Sequence, residues 1–275
     1  MTNKVKPFIK WAGGKRQLIK YFKDIFPEKF NVYHEPMIGG GALFFYLNPK
    51  RAVINDTNKE LMKTYEVIRD NVEELIEKLK LFKSKHSKDF YYKKRNNFNK
   101  IKNSKKNNKV ELAACLIYLN HTCFNGLYRV NQKGDFNVPV GNYKNPEIFD
   151  EKNLKSASNF LKKVDILCDD FETAVKLAKS DDFVYFDPPY DPINNTSNFT
   201  EYNNGGFGKK EQKRLCQTFK NLDKKNIKLA LSNSNTEFIK NIYRDFNIHV
   251  LEAKRTINSN SKKRGKIKEL LITNY

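Results

Sequence analysis

The sequence predicts an α/β fold with a largely parallel sheet, interrupted by a mostly helical insertion. Two observations carry this expectation. Short apolar runs of strand character, several bounded by polar, Gly or Pro residues, alternate with helical patterns near both ends of the chain. Between about Asn58 and Leu161 that alternation stops, and helical periodicity and Lys/Asn-rich polar sequence take over. The expected division is one domain in residues 1–57 and 162–275 and a second in 58–161.

The first strand is expected at Val32-Tyr33 and leads into Glu35-Pro36-Met37-Ile38-Gly39-Gly40-Gly41-Ala42. Glycines there let the backbone come close to a ligand at the carboxyl end of the strand. Ala52-Val53-Ile54 is the second strand, and Asp56 just beyond it is placed to accept hydrogen bonds from ribose hydroxyls. A Gly-rich turn followed by an acidic residue suits a nucleoside-containing cofactor. It does not separate NAD from S-adenosylmethionine, because the glycines do not form a G-x-G-x-x-G pattern. A tight turn beside an exposed aspartate explains the same residues equally well.

Within the insertion, Val72, Leu75, Ile76, Leu79 and Phe82 recur at helical spacing, and Leu112, Leu116 and Leu119 suggest a second helix. A Gly- and Asn-rich stretch follows from Asn125 to Tyr143. It alternates in Leu127-Tyr128-Arg129-Val130 and in Phe136-Asn137-Val138 around Lys133-Gly134-Asp135, which predicts a hairpin near 124–143 turning at Gly134.

Val164 to Leu167 is the third strand and Phe183 to Phe186 the fourth, and the fourth ends in Asp187-Pro188-Pro189-Tyr190. Two consecutive prolines cannot continue a central strand, and they fix a stiff turn without N–H donors. What remains are acceptors, the Asp187 carboxylate and the Pro188 carbonyl, which can hold both hydrogens of an exocyclic amine. Tyr190 offers a face on which a base can stack. The lone pair of such an amine is delocalised into its ring, so orienting the hydrogens favours a geometry in which the lone pair meets an electrophilic methyl group. Lys228 to Leu231 and Glu269 to Ile272 are the last expected strands.

Several motifs in order resemble the Dam-type amino-methyltransferases. They are Phe8-Ile9-Lys10-Trp11-Ala12-Gly13-Gly14-Lys15, Glu35 to Gly41, Phe124 to Asn131, Phe136-Asn137-Val138-Pro139, Cys168-Asp169-Asp170-Phe171 and Asp187 to Tyr190. The resemblance spans nearly the whole chain and is strongest to GATC-modifying adenine methylases of restriction systems in low-GC Gram-positive bacteria. It implies a Rossmann-like S-adenosylmethionine-dependent methyltransferase sheet with an inserted target-recognition domain. It further implies that Trp11, Lys15, Gly39, Gly41, Asp56, Asp170, Phe171 and Asp187 hold the cofactor. Asp187, Pro188 and Tyr190 would act on a flipped adenine, and Lys10, Phe124, Asn125, Leu127, Arg129 and Pro139 would read DNA.

Read without the resemblance, Trp11 is an ordinary core residue and Arg129 an ordinary surface arginine. On a hairpin, however, Arg129 has the shape to bind guanine O6 and N7, Phe124 and Leu127 to wedge between bases, and Asn125 to read adenine. Lys144 and Lys262-Lys263-Arg264 read as phosphate contacts or solvated charge.

Composition agrees with a nucleic-acid partner. Lys+Arg 52 against Asp+Glu 31 gives a formal net charge of +21, a surface that attracts a polyanion. A Lys- and Asn-rich coding bias explains part of that excess, especially in Lys100 to Lys109. Cys115, Cys123, Cys168 and Cys216 show no metal-ligand or C-x-x-C spacing, as expected of free thiols in a reduced cytoplasm. No apolar run of about 20 residues marks a membrane span. The expected partners are double-stranded DNA and a separate cognate restriction endonuclease. The expected reaction is direct methyl transfer to adenine N6, with no metal and no covalent cysteine intermediate. N4-cytosine and RNA adenine methylation share the amine-orienting chemistry. A nicotinamide oxidoreductase leaves the double proline unexplained, and a non-catalytic DNA-binding module has no use for the cofactor set.

Overall fold

A computed structural model describes residues 5–13, 15, 18–104, 108–193, 206–254 and 266–275. The first third of the chain contains α1 (Ile19–Phe22), β1 (Tyr33–Glu35), α2 (Ala42–Leu47), β2 (Ala52–Asn55), α3 (Lys59–Asp70) and α4 (Val72–Ser84). Next come α5 (Lys88–Lys102), α6 (Lys109–Thr122), α7 (Glu151–Leu161), β3 (Val164–Leu167), α8 (Phe171–Ala174) and β4 (Phe183–Phe186). The chain ends with α9 (Lys209–Asp223), β5 (Lys228–Ser234), α10 (Glu237–Ile242), β6 (Asn247–Lys254) and β7 (Lys266–Thr273).

The strands form one mixed sheet in the order β3-β2-β1-β4-β5-β7-β6. β1 pairs in parallel with β2 and β4, and β4 with β5, while β7 runs antiparallel to both β5 and β6. Because β1 and β4 are parallel neighbours in the register Tyr33↔Phe183, the segments that follow them leave from the same edge of the sheet. That edge is where open parallel sheets present their ligand-binding loops.

By packing, the chain forms two compact units, one of Met1–Gly14, Gly39–Asn48 and Asp56–Cys168, the other of Lys15–Ile38, Pro49–Asn55 and Asp169–Tyr275. The first unit is organised around α6, which packs against α3, α4 and α5. Leu112, Ala113, Cys115, Leu116, Ile117, Tyr118 and Leu119 are all buried, so α6 is apolar all round rather than along one stripe. Side-chain oxygens cap the flanking helices. Asn58 accepts from the Leu61 amide at α3, Ser87 from Phe90 at α5, Asn108 from Glu111 at α6, and Asp150 from Asn153 at α7.

The predicted hairpin is present as two isolated antiparallel bridges, Val130↔Phe136 and Cys123↔Val140, rather than a continuous ladder. Its tip is closed by Asn131 N–H to the Asp135 carbonyl and Gly134 N–H to the Asn131 carbonyl. The ladder is short because α5 supplies the missing partners. Asn99 accepts from the Phe136 amide and donates to the Phe136 carbonyl, and Lys102 donates to the Gly134 carbonyl.

In the second unit all four residues of β4 are buried, as a central parallel strand requires. Its core joins Val184 and Phe186 to Leu215 and Phe219 of α9, Leu229 and Leu231 of β5, and Leu270 and Ile272 of β7. Among the described residues no helix is long and apolar enough to cross a membrane, and no His/Cys/Asp/Glu group has the arrangement of a metal site.

Candidate active site

In the first unit the Gly-rich turn and Asp56 form one structure. Gly39 N–H donates to Asp56 Oδ2 at 3.0 Å and Asn58 N–H to Oδ1 at 2.9 Å. Burial raises the Asp56 carboxyl above its ordinary range, against the lowering effect of those two amides. The Gly39 carbonyl accepts from the Tyr65 hydroxyl at 3.1 Å. Gly39 has φ +49°, and a Cβ on it would lie 2.6 Å from Trp11 Cδ1. Trp11 is stacked on Tyr128 with ring centroids 5.4 Å apart, so the tryptophan backs the turn and cannot yield easily. Gly41, also left-handed at φ +67°, lies against Tyr65 and Phe45.

The DNA-reading candidates belong to the same unit. Phe124 is 52% exposed at the start of a short 3-10 turn, and Asn125 is exposed with a left-handed φ of 55°. Leu127 is half-buried, and Arg129, Pro139 and Lys144 are exposed. Arg129 is not a loose surface arginine. Its Nε donates to Asn137 Oδ1 at 2.8 Å, and the Asn137 amide returns a bond to the Arg129 carbonyl at 3.1 Å. Lys10 is fastened at its backbone by Asn120, whose side chain accepts from the Lys10 amide and donates to the carbonyls of Lys10 and Gly126. The Lys10 ammonium lies 4.9 Å from the centre of the Tyr143 ring. Lys262-Lys263-Arg264 and part of the Lys100–Lys109 run lie outside the described residues.

In the second unit Lys15, Asp187 and Tyr190 come together. Lys15 Nζ is 2.7 Å from Asp187 Oδ1 and 4.6 Å from the centre of the Tyr190 ring. The Tyr190 hydroxyl donates to Glu269 Oε2 at 2.8 Å. The Asp187 side chain keeps 22% of its surface exposed, yet its surroundings are dense enough that desolvation raises its pKa. Lys15 opposes that rise and Glu269 reinforces it. The loop is held from behind, with Gln212 Nε2 donating to the Pro189 carbonyl and Asn233 Nδ2 to Gln212 Oε1. Asn233 Oδ1 accepts from the Asp191 amide. Among the described residues the Pro188 carbonyl and Asp187 Oδ2 accept no hydrogen bond. Two acceptors thus remain at the turn where the sequence predicts an amine-binding pair.

Asp170 caps α8 by accepting from the Glu172 amide, and it takes a two-pronged ion pair from Arg214. Burial alone would raise its carboxyl, but Arg214 and the Glu172 amide hold it below the usual range. Phe171 is buried in the core with the Arg214 guanidinium 4.2 Å from its ring centre. Asn55 fixes the approach to this pair by bonding both the amide and the carbonyl of Asp169, and the Pro36 carbonyl.

Sequence reasoning missed Asn55, Asn120, Gln212, Arg214, Asn233 and Glu269. Asn120 carried a readable signal, an amide directly after the apolar helical run from Leu112 to Leu119 and still inside α6. The Gln and Arg of α9 looked like any solvated helix face.

Comparison with known proteins places the chain. The sequence model of the D12 class N6 adenine-specific DNA methyltransferases matches residues 11–257. The chain is 48% identical over 273 residues to the type II methyltransferase M1.LlaDCHI of Lactococcus lactis subsp. cremoris, covering 98% of this chain and 96% of that protein. It is 47% identical to the type II methyltransferase M.MjaIII of Methanocaldococcus jannaschii, covering 98% and 99%. It is 36% identical to a DNA adenine methylase of Haemophilus influenzae, covering 98% and 93%. The expected resemblance and the mixed α/β methyltransferase fold are therefore borne out, and the chain belongs to the D12 class of N6 adenine-specific DNA methyltransferases.

Proposed function

We propose that this enzyme transfers the methyl group of S-adenosylmethionine to N6 of an adenine flipped out of double-stranded DNA, at GATC sites. The observation that carries the chemistry is the pair Asp187 Oδ2 and the Pro188 carbonyl, which accept no hydrogen bond among the described residues, on a turn that Gln212 and Asn233 hold in place. They accept the two amine hydrogens and turn the lone pair of N6 outward. Tyr190 stacks on the base, with Glu269 anchoring its hydroxyl. Lys15 opposes the burial-driven rise of the Asp187 pKa and so favours its acceptor form. A target adenine inside the duplex is out of reach, so flipping costs a few kcal/mol, which phosphate and pocket contacts offset.

The residues present fit the proposed cofactor. Asp56 spends two of its acceptor positions on backbone amides, leaving two for the hydroxyls of a ribose. By the family resemblance Asp170 and Phe171 would contact its adenine, and Trp11, Gly39 and Gly41 of the first unit and Lys15 and Asp187 of the second would also hold it. When bound, S-adenosylmethionine supplies an activated methyl group, and no metal or enzyme-bound intermediate is needed.

Target recognition is assigned to residues 58–161. Arg129 reads guanine, with Lys10, Phe124, Asn125, Leu127 and Pro139 beside it and Lys144 on phosphate. The reaction takes place in the cytoplasm, and the type II naming of two relatives supports a role in protecting DNA from a separate endonuclease of the same specificity. The test is methyl transfer from S-adenosylmethionine to GATC duplexes, GATC-free duplexes and RNA. Labelled N6-methyladenine in GATC duplexes alone is expected. Equal labelling of GATC-free DNA would remove the site assignment, and N4-methylcytosine or labelled RNA the substrate.

A further inference from the structure

We infer that Arg214 of α9 is a positioning residue that fixes the Asp170 carboxylate to accept one exocyclic amine hydrogen, making the cofactor pocket selective for an adenine base over one with a carbonyl in that place. This rests on the assignment of Asp170 and Phe171 to the cofactor's adenine.

A carboxylate has about four lone-pair positions. Asp170 Oδ1 accepts from the Glu172 amide at 2.9 Å and from Arg214 Nη1 at 3.1 Å, and Oδ2 accepts from Arg214 Nη2 at 2.6 Å. One position on Oδ2 remains, and its direction is set by the planar guanidinium fork. A carboxylate so committed can take one N–H donor and repels a carbonyl oxygen. That is the difference between the six-position of adenine and that of hypoxanthine.

Arg214 is itself held on three sides. Glu211 Oε2 lies 3.0 Å from Nε and 2.8 Å from Nη2, Glu172 Oε2 lies 3.4 Å from Nη1, and the Phe171 ring is stacked beneath. The Arg214 and Asp170 side chains are 35% and 39% exposed, so solvent screens the pair and it adds little to folding. An ion pair this exposed yet this well aligned is better explained by orientation than by stability.

The experiment is calorimetric binding of S-adenosylhomocysteine and S-inosylhomocysteine to the wild-type chain, Arg214→Gln and Arg214→Lys. The wild type is expected to prefer the adenosyl compound by about 10- to 100-fold, the range of one hydrogen bond to a charged acceptor. Arg214→Gln is expected to lose most of that ratio, mainly through weaker adenosyl binding. Arg214→Lys, which keeps the charge but not the fork, should fall between and serves as the readout if the glutamine variant does not fold. A wild-type ratio retained in both variants would overturn the role of Arg214 while leaving the adenine assignment intact. A wild type with no preference would show that Asp170 does not face the base, and both readings would fall.

Discussion

Lys15 Nζ lies 2.7 Å from Asp187 Oδ1, so the carboxylate at the centre of the proposed chemistry is paired with a buried ammonium. Burial raises the pKa of Asp187, Lys15 lowers it and Glu269 raises it again, with a net rise. An acid whose folded value lies above its unfolded value favours folding at low pH, and that contribution is lost as pH rises through the folded value. Activity runs the other way, because the amine needs an ionised acceptor. The acid limb of the pH–rate profile is therefore expected above the usual carboxylate range. In Lys15→Met it should move further upward, and a profile that stays in place would show that Lys15 does not tune Asp187.

Asp187→Ala removes an acceptor and leaves the Pro-Pro turn. Methyl transfer is expected to fall by about 10²-fold or more, the range for one positioned transition-state dipole, with a circular-dichroism spectrum like that of the wild type. Near-normal turnover in a folded variant would sink the proposed mechanism.

Tyr190 and Glu269 separate stacking from anchoring. Tyr190→Phe loses only the bond to the Glu269 carboxylate, about 1.5–3 kcal/mol for a charged acceptor, so the rate should fall by roughly 100-fold at most. Tyr190→Ala also removes the aromatic face, worth about 1–3 kcal/mol where a base stacks, and should lose correspondingly more. Single-turnover rates on one GATC duplex measure both. Equal losses in the two variants would mean that the ring does not stack on the target.

The part of this site that the sequence announced is the part where backbone chemistry is restricted. Two prolines after four apolar residues mark Asp187 to Tyr190, and clustered glycines mark the turn behind Trp11. Arg214 and Glu269 were silent because each is one charge among many, and only tertiary placement gives it a partner. The fold divides in the same way. β4 is buried on both faces and reads as an unbroken apolar run. By contrast, among the described residues β6 borders only β7, and residues such as Val250, 51% exposed, dilute its pattern. In α9 the inward residues Leu215, Phe219 and Leu222 are interspersed with Gln217, Thr218, Lys220 and Asn221, which dilute the apolar stripe.

Gly39 and Trp11 predict a coupled pair. Gly39→Ala meets a left-handed φ and a Cβ contact of 2.6 Å with an indole held against Tyr128. The expected cost is about 1–3 kcal/mol of stability. In a Trp11→Ala background the contact disappears and only the backbone strain remains. Thermal or urea denaturation of the four proteins should therefore give a non-additivity of about 0.5–3 kcal/mol. Strict additivity would mean that the indole moves aside without cost.

Arg129 and Asn137 make the last prediction, which concerns specificity. Asn137 engages Nε of Arg129, leaving the terminal nitrogens to address a guanine edge. Arg129→Ala is expected to lose about 1–3 kcal/mol of discrimination at one base pair while non-specific DNA binding changes little, because the proposed phosphate contact is assigned to Lys144. Asn137→Ala keeps the guanidinium and frees its orientation, so it should lose part of that discrimination. The measurement is competition between GATC and singly substituted duplexes, followed by sequencing at modified adenines. If Arg129→Ala instead weakens methylation of every duplex equally, Arg129 contacts the backbone and the base is read by another residue of the hairpin.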